Sequence, residues 1–347
     1  MVHKKAKIVK RIVLLVIALL LVIGAGVWWF TRLGTSDCTK YERYDPIKGE
    51  CYYECDTDEQ CDEIAKKVDD ELDAYFKDSK TRVSKTKPES RPASDAPTTD
   101  DPGTVDKLLT LKDTGSDTKG TVYTVSTTGQ LLPTPTEHDQ QLWDLFVRIA
   151  SIDTINERLA SFEIFNDASN DSAASVWQSE SNREKWHMNV NAAFEDDQKD
   201  LIHTMVHEYG HIVSLNTSQV RTTQGSCPRL ELPEGCTKQG SYIDSFNQKF
   251  WAQYGTNAPE DYGSDQGQVD AFYNASPDSF VTEYAATNMV EDFAESWAYF
   301  VLRSKPSDDS EKSQKIRFMY EFKELVRERD RIRTQIRSDL QRRNLLH

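Results

Sequence analysis

The stretch DLIHTMVHEYGHIVSL, residues 200–215, contains two histidines four positions apart within an otherwise mostly apolar segment. Its apolar residues recur on more than one side, which is typical of a helix buried in a core. Acidic residues precede the stretch, and a helix N-terminus favours negative charge. The sequence therefore predicts a buried helix over about 196–215.

Within this helix, His207, Glu208 and His211 fit the pattern H-E-x-x-H. Positions i and i+4 share one helix face, so the two imidazoles can bind one metal ion. Glu208 is rotated by about 100° from His207 and points beside the ion. This arrangement predicts that the histidines bind Zn²⁺ and that Glu208 accepts a proton from metal-bound water. The alternative is a core helix with two histidines present by chance.

His203 lies on the same helix face, one turn before His207. We interpret it as a packed or supporting residue, because it would sit about 5.4 Å further along the helix than a ligand should. Catalytic zinc sites usually have a third protein ligand. Metzincins supply a histidine six residues after the second motif histidine, but Thr217 occupies that position here, so that class is excluded.

A later segment, EYAATNMVEDFAESWAYF at residues 283–300, offers carboxylates for the third position. If the segment is helical, its polar residues recur every three or four positions on one side. The polar residues on this side are Tyr284, Asn288, Glu291 and Glu295. A polar side on so apolar a helix needs a buried partner, and a metal ion would be one. Either Glu291 or Glu295 can supply the ligand on this reasoning.

The HEYGH motif followed by Y-x3-N-x2-E-x-F-A-E resembles the catalytic domain of lethal-factor-type zinc peptidases, the glutamate-zincins related to anthrax toxin lethal factor. The resemblance implies that Glu291 is the third zinc ligand and that Tyr284 assists catalysis. It also implies that Glu295 and Asn288 support the ligands from behind, within an α+β zincin-like fold. The resemblance covers only these two windows.

The predicted function is therefore hydrolysis of peptide bonds by zinc-activated water, with a peptide or protein as the substrate. Two alternatives remain open: a zinc-binding scaffold without turnover, and a surface interaction protein that acts through its N-terminal cysteine module. The formal net charge of −15 argues against nucleic acid as a partner. No pattern in the sequence fixes an oligomeric state.

The N-terminal region predicts a membrane anchor. Residues 1–11 contain five basic residues and no acidic one, and residues 12–30 contain no charge. A bilayer core needs about 20 apolar residues of helix, and basic flanks stay in the cytoplasm. We therefore expect a basic cytoplasmic tail, a single transmembrane helix and an extracytoplasmic C-terminal body. A cleaved signal peptide, whose apolar part is shorter, is the alternative.

All six cysteines follow the apolar run, and an even number outside the cytoplasm predicts disulfide bonds. They are Cys38, Cys51, Cys55, Cys61, Cys227 and Cys236. The simplest pair is Cys227 with Cys236, whereas the first four allow three pairings.

The composition divides the rest of the chain into three parts. We expect a cysteine-stapled module with a short helix over 31–76, a Ser/Thr/Pro-rich linker over 77–136, and an α+β peptidase domain over 137–347. Alternating residues predict strands at 121–125, 162–167 and 185–191. One of the last two could form the sheet edge that pairs with an extended substrate. Helices are predicted at 139–152, 241–254, 286–303 and 311–343.

Overall fold

The computed structural model describes residues 42–45, 50–53, 57–81, 120–222, 226–259, 265–343 and 345–346. The chain divides into two compact units. The first comprises Met1–Asp69 and Thr334–His347, and the second comprises Asp70–Arg333. The residues of the predicted metal site all belong to the second unit.

The first unit contains an antiparallel hairpin. Its strands are β1, Glu42–Asp45, and β2, Glu50–Tyr53, and they pair Tyr44 with Cys51. Helix α1, Asp58–Phe76, begins here and is longer than the short helix that the sequence predicts. The pairing of Cys38, Cys51, Cys55 and Cys61 lies outside the described side chains.

The second unit is built around a mixed five-stranded sheet in the order β4-β3-β5-β7-β6. Strands β5 and β7 are parallel, and the other neighbours are antiparallel. The strands are β3 Thr121–Val125, β4 Leu131–Leu132, β5 Leu159–Phe165, β6 Ala174–Gln178 and β7 Trp186–Asn191. Strands β3, β5 and β7 confirm the three predicted strands.

Two expectations about this sheet need correction. Strands β3 and β4 pair with each other and β3 pairs with β5, so residues 121–132 belong to the sheet rather than to a linker. Strands β5 and β7, the two candidates for the edge, both lie inside the sheet. The edge next to them is β6, which no sequence pattern singled out.

The second unit also contains eight α-helices among the described residues. They are α2 Glu137–Ala150, α3 Ile152–Arg158, α4 Gln198–Leu215, α5 Tyr242–Phe246, α6 Gln266–Ala275, α7 Met289–Leu302, α8 Glu311–Met319 and α9 Lys323–Arg342, the last of which runs on into the first unit. The α+β class is confirmed. The single helix predicted over 311–343 is interrupted between α8 and α9.

A small three-stranded sheet follows α4. It consists of β8 Val220–Arg221, β9 Glu231–Leu232 and β10 Gly235–Thr237. A disulfide bond joins Cys227 to Cys236 in this region, as the sequence predicts.

The predicted membrane location needs correction. Among the described residues, no helix is long and apolar enough to cross a bilayer, because the longest helices contain many charged residues. Residues 12–30, which carried the prediction, lie outside the described residues. The prediction of a single-pass membrane protein with an extracytoplasmic body is therefore withdrawn.

Helix α4 is buried along nearly its whole length and is crossed closely by α7. Its first turn is capped by Asp197, whose side chain accepts a hydrogen bond from the Asp200 backbone N–H. A Cβ atom on Gly210 would lie 2.7 Å from Cδ1 of Trp297 and 3.3 Å from Cα of Ala294. The glycine therefore lets the backbone of α7 approach α4.

Arginines of α9 hold the C-terminal end of α7. Arg329 Nε donates to the Phe300 carbonyl at 2.7 Å, and Arg333 Nη1 donates to the Val301 carbonyl at 2.6 Å. Both carbonyls lie in the last turn of α7, where backbone acceptors lack helical partners and positive charge is favoured. These contacts fix the C-terminal end of the helix that carries Glu291.

We expect Gly210→Ala to destabilise the second unit. Alanine gains up to about 1 kcal/mol in helix propensity, but the added methyl group overpacks against Trp297, which typically costs 1–3 kcal/mol. The expected net loss is about 1 kcal/mol, measured by urea unfolding of the metal-free protein. Gly267→Ala, on the exposed face of α6, is the control. Equal stability of Gly210→Ala and wild type would contradict the close-packing argument.

Candidate metal centre

Helix α4 places the three motif residues together in the interior. His207 is fully buried, and Glu208 and His211 are 4% and 8% exposed. One ligand atom from each lies within 4.8 Å of the others. This buried His207–Glu208–His211 group can hold a metal ion.

Helix α7 brings Glu291 to the two imidazoles. Its Oε2 lies 3.1 Å from His207 Nε2 and 3.4 Å from His211 Nε2, and the two Nε2 atoms are 3.1 Å apart. Tetrahedral zinc with bonds of about 2.0–2.1 Å would separate its ligand atoms by about 3.3 Å. The three atoms therefore form a triangle of the size that a zinc ion requires.

The charge of this cluster also favours a cation. Burial lowers the pKa of His207, but hydrogen bonds to Glu291 and Glu295 outweigh burial and raise that pKa to about 10. The same histidine charges hold the pKa of Glu291 well below its usual range, against the opposing effect of burial. A proton on His207 thus offsets one of these negative charges, and a metal ion at this position would displace that proton.

Glu295 lies behind His207 and is fully buried. His207 Nδ1 donates to Glu295 Oε1 at 2.9 Å, which leaves Nε2 facing Glu291 and His211. Burial raises the pKa of Glu295, but the hydrogen bond and charge of His207 outweigh burial and hold the pKa at about 2. A carboxylate in this position orients a ligand histidine and fixes its tautomer.

Glu208 lies beside the triangle and next to edge strand β6. Its carboxylate is hydrogen-bonded to the backbone of Val176, and burial raises its pKa to about 7 although His207 and His211 lower it. A general base works best when its pKa lies near the working pH. Glu208 is therefore suited to exchange protons near neutral pH.

The predicted helical alignment of Tyr284 and Asn288 with Glu291 needs correction. Helix α7 begins at Met289, and Tyr284 lies in a separate 3-10 turn, Tyr284–Ala286. Asn288 is the N-cap residue, and its Oδ1 accepts from the backbone N–H groups of Val290 and Glu291 at 2.9 Å. Asparagine is favoured there because it satisfies donors at the helix start. Asn288 thus supports Glu291 through the backbone.

Tyr284 nevertheless lies beside His207, although it is not part of α7. Its ring centroid is 5.8 Å from that of His207. Burial and the charges of Glu291 and Glu208 raise the pKa of the phenol well above its usual value. The phenol therefore keeps its proton and can act as a hydrogen-bond donor.

Sequence reasoning missed the polar side chains that surround the ligands. Thr282 Oγ1 donates to Glu295 Oε2 at 2.6 Å, and Thr81 Oγ1 donates to Glu295 Oε1. Ser79 Oγ contacts His203 Nδ1 at 2.9 Å. Ser79 and Thr81 lie at the start of the predicted linker, whose polar composition gives no sign of these contacts.

In comparisons with protein-family models, curated proteins and solved structures, nothing matches this chain. The resemblance to lethal-factor-type peptidases therefore rests on its two sequence windows.

The burial of His203 predicts that the folded protein loses stability in acid. Burial lowers its pKa from 6.5 to about 4, and it lies outside the group of converging ligand atoms. The unfolded chain takes up this proton at higher pH than the folded chain does, so stability falls as the pH drops from 6.5 towards 4. The loss is on the order of 3 kcal/mol at about 1.4 kcal/mol per pKa unit.

The measurement is urea unfolding of the metal-free protein at about pH 7 and pH 4, with His203→Gln as the comparison. Glutamine does not titrate, so the variant should lose less stability than wild type over this interval. An equal loss in both proteins would show that His203 is not responsible.

Proposed function

We propose that this chain is a zinc metallopeptidase that hydrolyses peptide bonds, with His207, His211 and Glu291 as the zinc ligands. The proposal is carried by the triangle of two imidazole Nε2 atoms and one carboxylate oxygen, 3.1–3.4 Å apart. Two histidines with one carboxylate are a donor set typical of catalytic zinc, and the fourth position is left for water. The motif windows, which resemble lethal-factor-type enzymes, agree with this ligand set and with a zincin-like domain.

Zinc at this position would lower the pKa of its bound water to about 7 and polarise the scissile carbonyl. The Glu291 side chain is 19% exposed, more than either histidine. The ligand group is therefore most accessible on the side of Glu291, and water and substrate would enter there.

Glu208 is the proposed general base. Its carboxylate takes a proton from the attacking water and passes that proton to the leaving amine. Its elevated pKa, near neutrality, suits it to hold the proton between the two steps. Tyr284 keeps its phenolic proton and would donate it as a hydrogen bond to the developing oxyanion.

Edge strand β6 is the proposed substrate-binding strand. It pairs with β7 on one side and forms an end of the five-stranded sheet. An extended peptide can add to such an edge through main-chain hydrogen bonds. Because Val176 of β6 is hydrogen-bonded to Glu208, a peptide on this edge would pass beside the general base.

Glu208→Gln should abolish turnover while leaving zinc bound. Loss of a general base typically lowers the rate by about 100- to 10,000-fold, whereas the amide preserves the shape of the side chain. The measurement is cleavage of a mixed peptide library by mass spectrometry, alongside zinc content. A wild type that binds zinc but cleaves no more than Glu208→Gln would favour the inactive scaffold.

In the same assay, Tyr284→Phe should lower turnover by about 100-fold with zinc retained.

Glu291→Ala should lose zinc, because two histidines alone leave the ion without its third protein ligand. Glu295→Ala should weaken zinc binding by about 10- to 100-fold, the usual effect of removing a group that orients a ligand. Zinc content after dialysis against a chelator is the measurement. Glu283→Ala, an exposed glutamate next to Tyr284, is the matched control. Loss of zinc in Glu295→Ala but not in Glu291→Ala would overturn the ligand assignment.

A further inference from the structure

The segment that follows α1, residues 79–81, runs along the metal-binding helix α4. Ser79 Oγ donates to the Phe76 carbonyl at 2.8 Å and contacts His203 Nδ1 at 2.9 Å. The Lys80 backbone N–H donates to Asp200 Oδ1 at 3.0 Å. Two successive residues of the segment are thus attached to α4, at positions four and seven residues before His207.

The next residue, Thr81, reaches Glu295 on the neighbouring helix α7. Its Oγ1 donates to Oε1 of this carboxylate. The same oxygen accepts the hydrogen bond from His207 Nδ1, while the other oxygen accepts from Thr282. Glu295 is fully buried, so these three donors replace the water that an ionised carboxylate would otherwise need.

We propose that Thr81 is a positioning residue for the metal centre, because it fixes the carboxylate that orients His207. The Thr81 hydroxyl holds Oε1 of Glu295 while Thr282 holds Oε2, and the two bonds together restrain the carboxylate from rotating away from the imidazole. The inference rests on the proposed zinc site. It extends that site to a residue more than one hundred positions before the H-E-x-x-H motif, in a stretch whose composition is that of a linker.

The attachment of residues 79 and 80 to α4 explains how a polar segment can hold its place. A side chain on a free segment would lose conformational freedom on making this hydrogen bond, which opposes the contact. Here Ser79 and Lys80 are already bound to α4, so Thr81 is presented to Glu295 with little further ordering. Arg303 Nη2 also lies 3.4 Å from the Ser79 carbonyl and ties the segment to the end of α7.

The test is the zinc affinity of the full-length protein, measured by competition with a chelator of known affinity. Thr81→Val keeps the shape and removes the hydroxyl, and we expect zinc to bind about 10-fold more weakly. Thr81→Ser retains the hydroxyl and should bind within about twofold of wild type. Thr121→Val, at an exposed position of β3, is the control and should bind zinc as wild type does. Glu295→Gln marks the effect of disturbing the carboxylate itself.

Thermal unfolding of the metal-free variants checks that each one folds, and Thr81→Ala replaces the valine variant if that variant does not fold. Unchanged affinity in Thr81→Val, with weaker binding in Glu295→Gln, would overturn the inference and leave the zinc site intact. Equal weakening in Thr81→Ser and Thr81→Val would also overturn it, since packing rather than the hydroxyl would then be responsible. Absence of zinc binding in wild type would instead refute the metal centre, and the role of Thr81 with it.

Discussion

Helices α4 and α7 cross at Gly210, and the rest of the site depends on this contact. Because the glycine has no side chain, Trp297 and Ala294 of α7 pack directly on the α4 backbone. That close approach brings the first two turns of α7 against the histidines of α4. Glu291 then reaches both Nε2 atoms, and Glu295, one turn later, reaches Nδ1 of His207. Glu291 thus contacts the Nε2 atoms and Glu295 contacts Nδ1 of His207 from behind, because four residues separate the two carboxylates on a single helix.

The part of the site that lies on α4 could be predicted because its spacing is local. Two histidines at i and i+4 share a face in any helix, and the apolar residues around them predict burial. The same reasoning could identify Glu291 as a candidate, since it lies on a helix that the sequence also predicts. It could not choose between Glu291 and Glu295, because periodicity places both on one side. The crossing of the two helices places Glu291 beside both Nε2 atoms, and that crossing is a property of tertiary packing.

The same periodicity failed at Tyr284 and Asn288 for a local reason. Asn288 caps the start of α7, so the helix cannot extend back to the tyrosine. The helical repeat predicted that Tyr284 lies near the histidines, and its ring is indeed close to that of His207. The repeat placed Tyr284 in the helix, however, whereas it lies in a separate turn. Strand order is a comparable case. Apolar alternation identified β5 and β7, but it carries no information about which strand lies at the edge of the sheet. The edge strand beside β7 is β6. The contacts of Thr81 lie further beyond sequence reasoning, because a hydroxyl in a polar stretch has no distinctive pattern.

The ionisation of the three buried carboxylates depends on the hydrogen-bond donors and positive charges around each of them. Three carboxylates, Glu208, Glu291 and Glu295, surround two imidazoles in a buried space. Ionised carboxylates in such a space are costly unless donors or cations compensate them. For Glu295 the compensation comes from Thr81, Thr282 and His207, and its pKa stays at about 2. For Glu291 it comes from the two histidines. Glu208 has the least compensation, and burial raises its pKa to about 7. Hydrogen-bond donors and histidine charges are thus distributed so that two carboxylates remain ionised, while burial keeps the pKa of the third near neutrality.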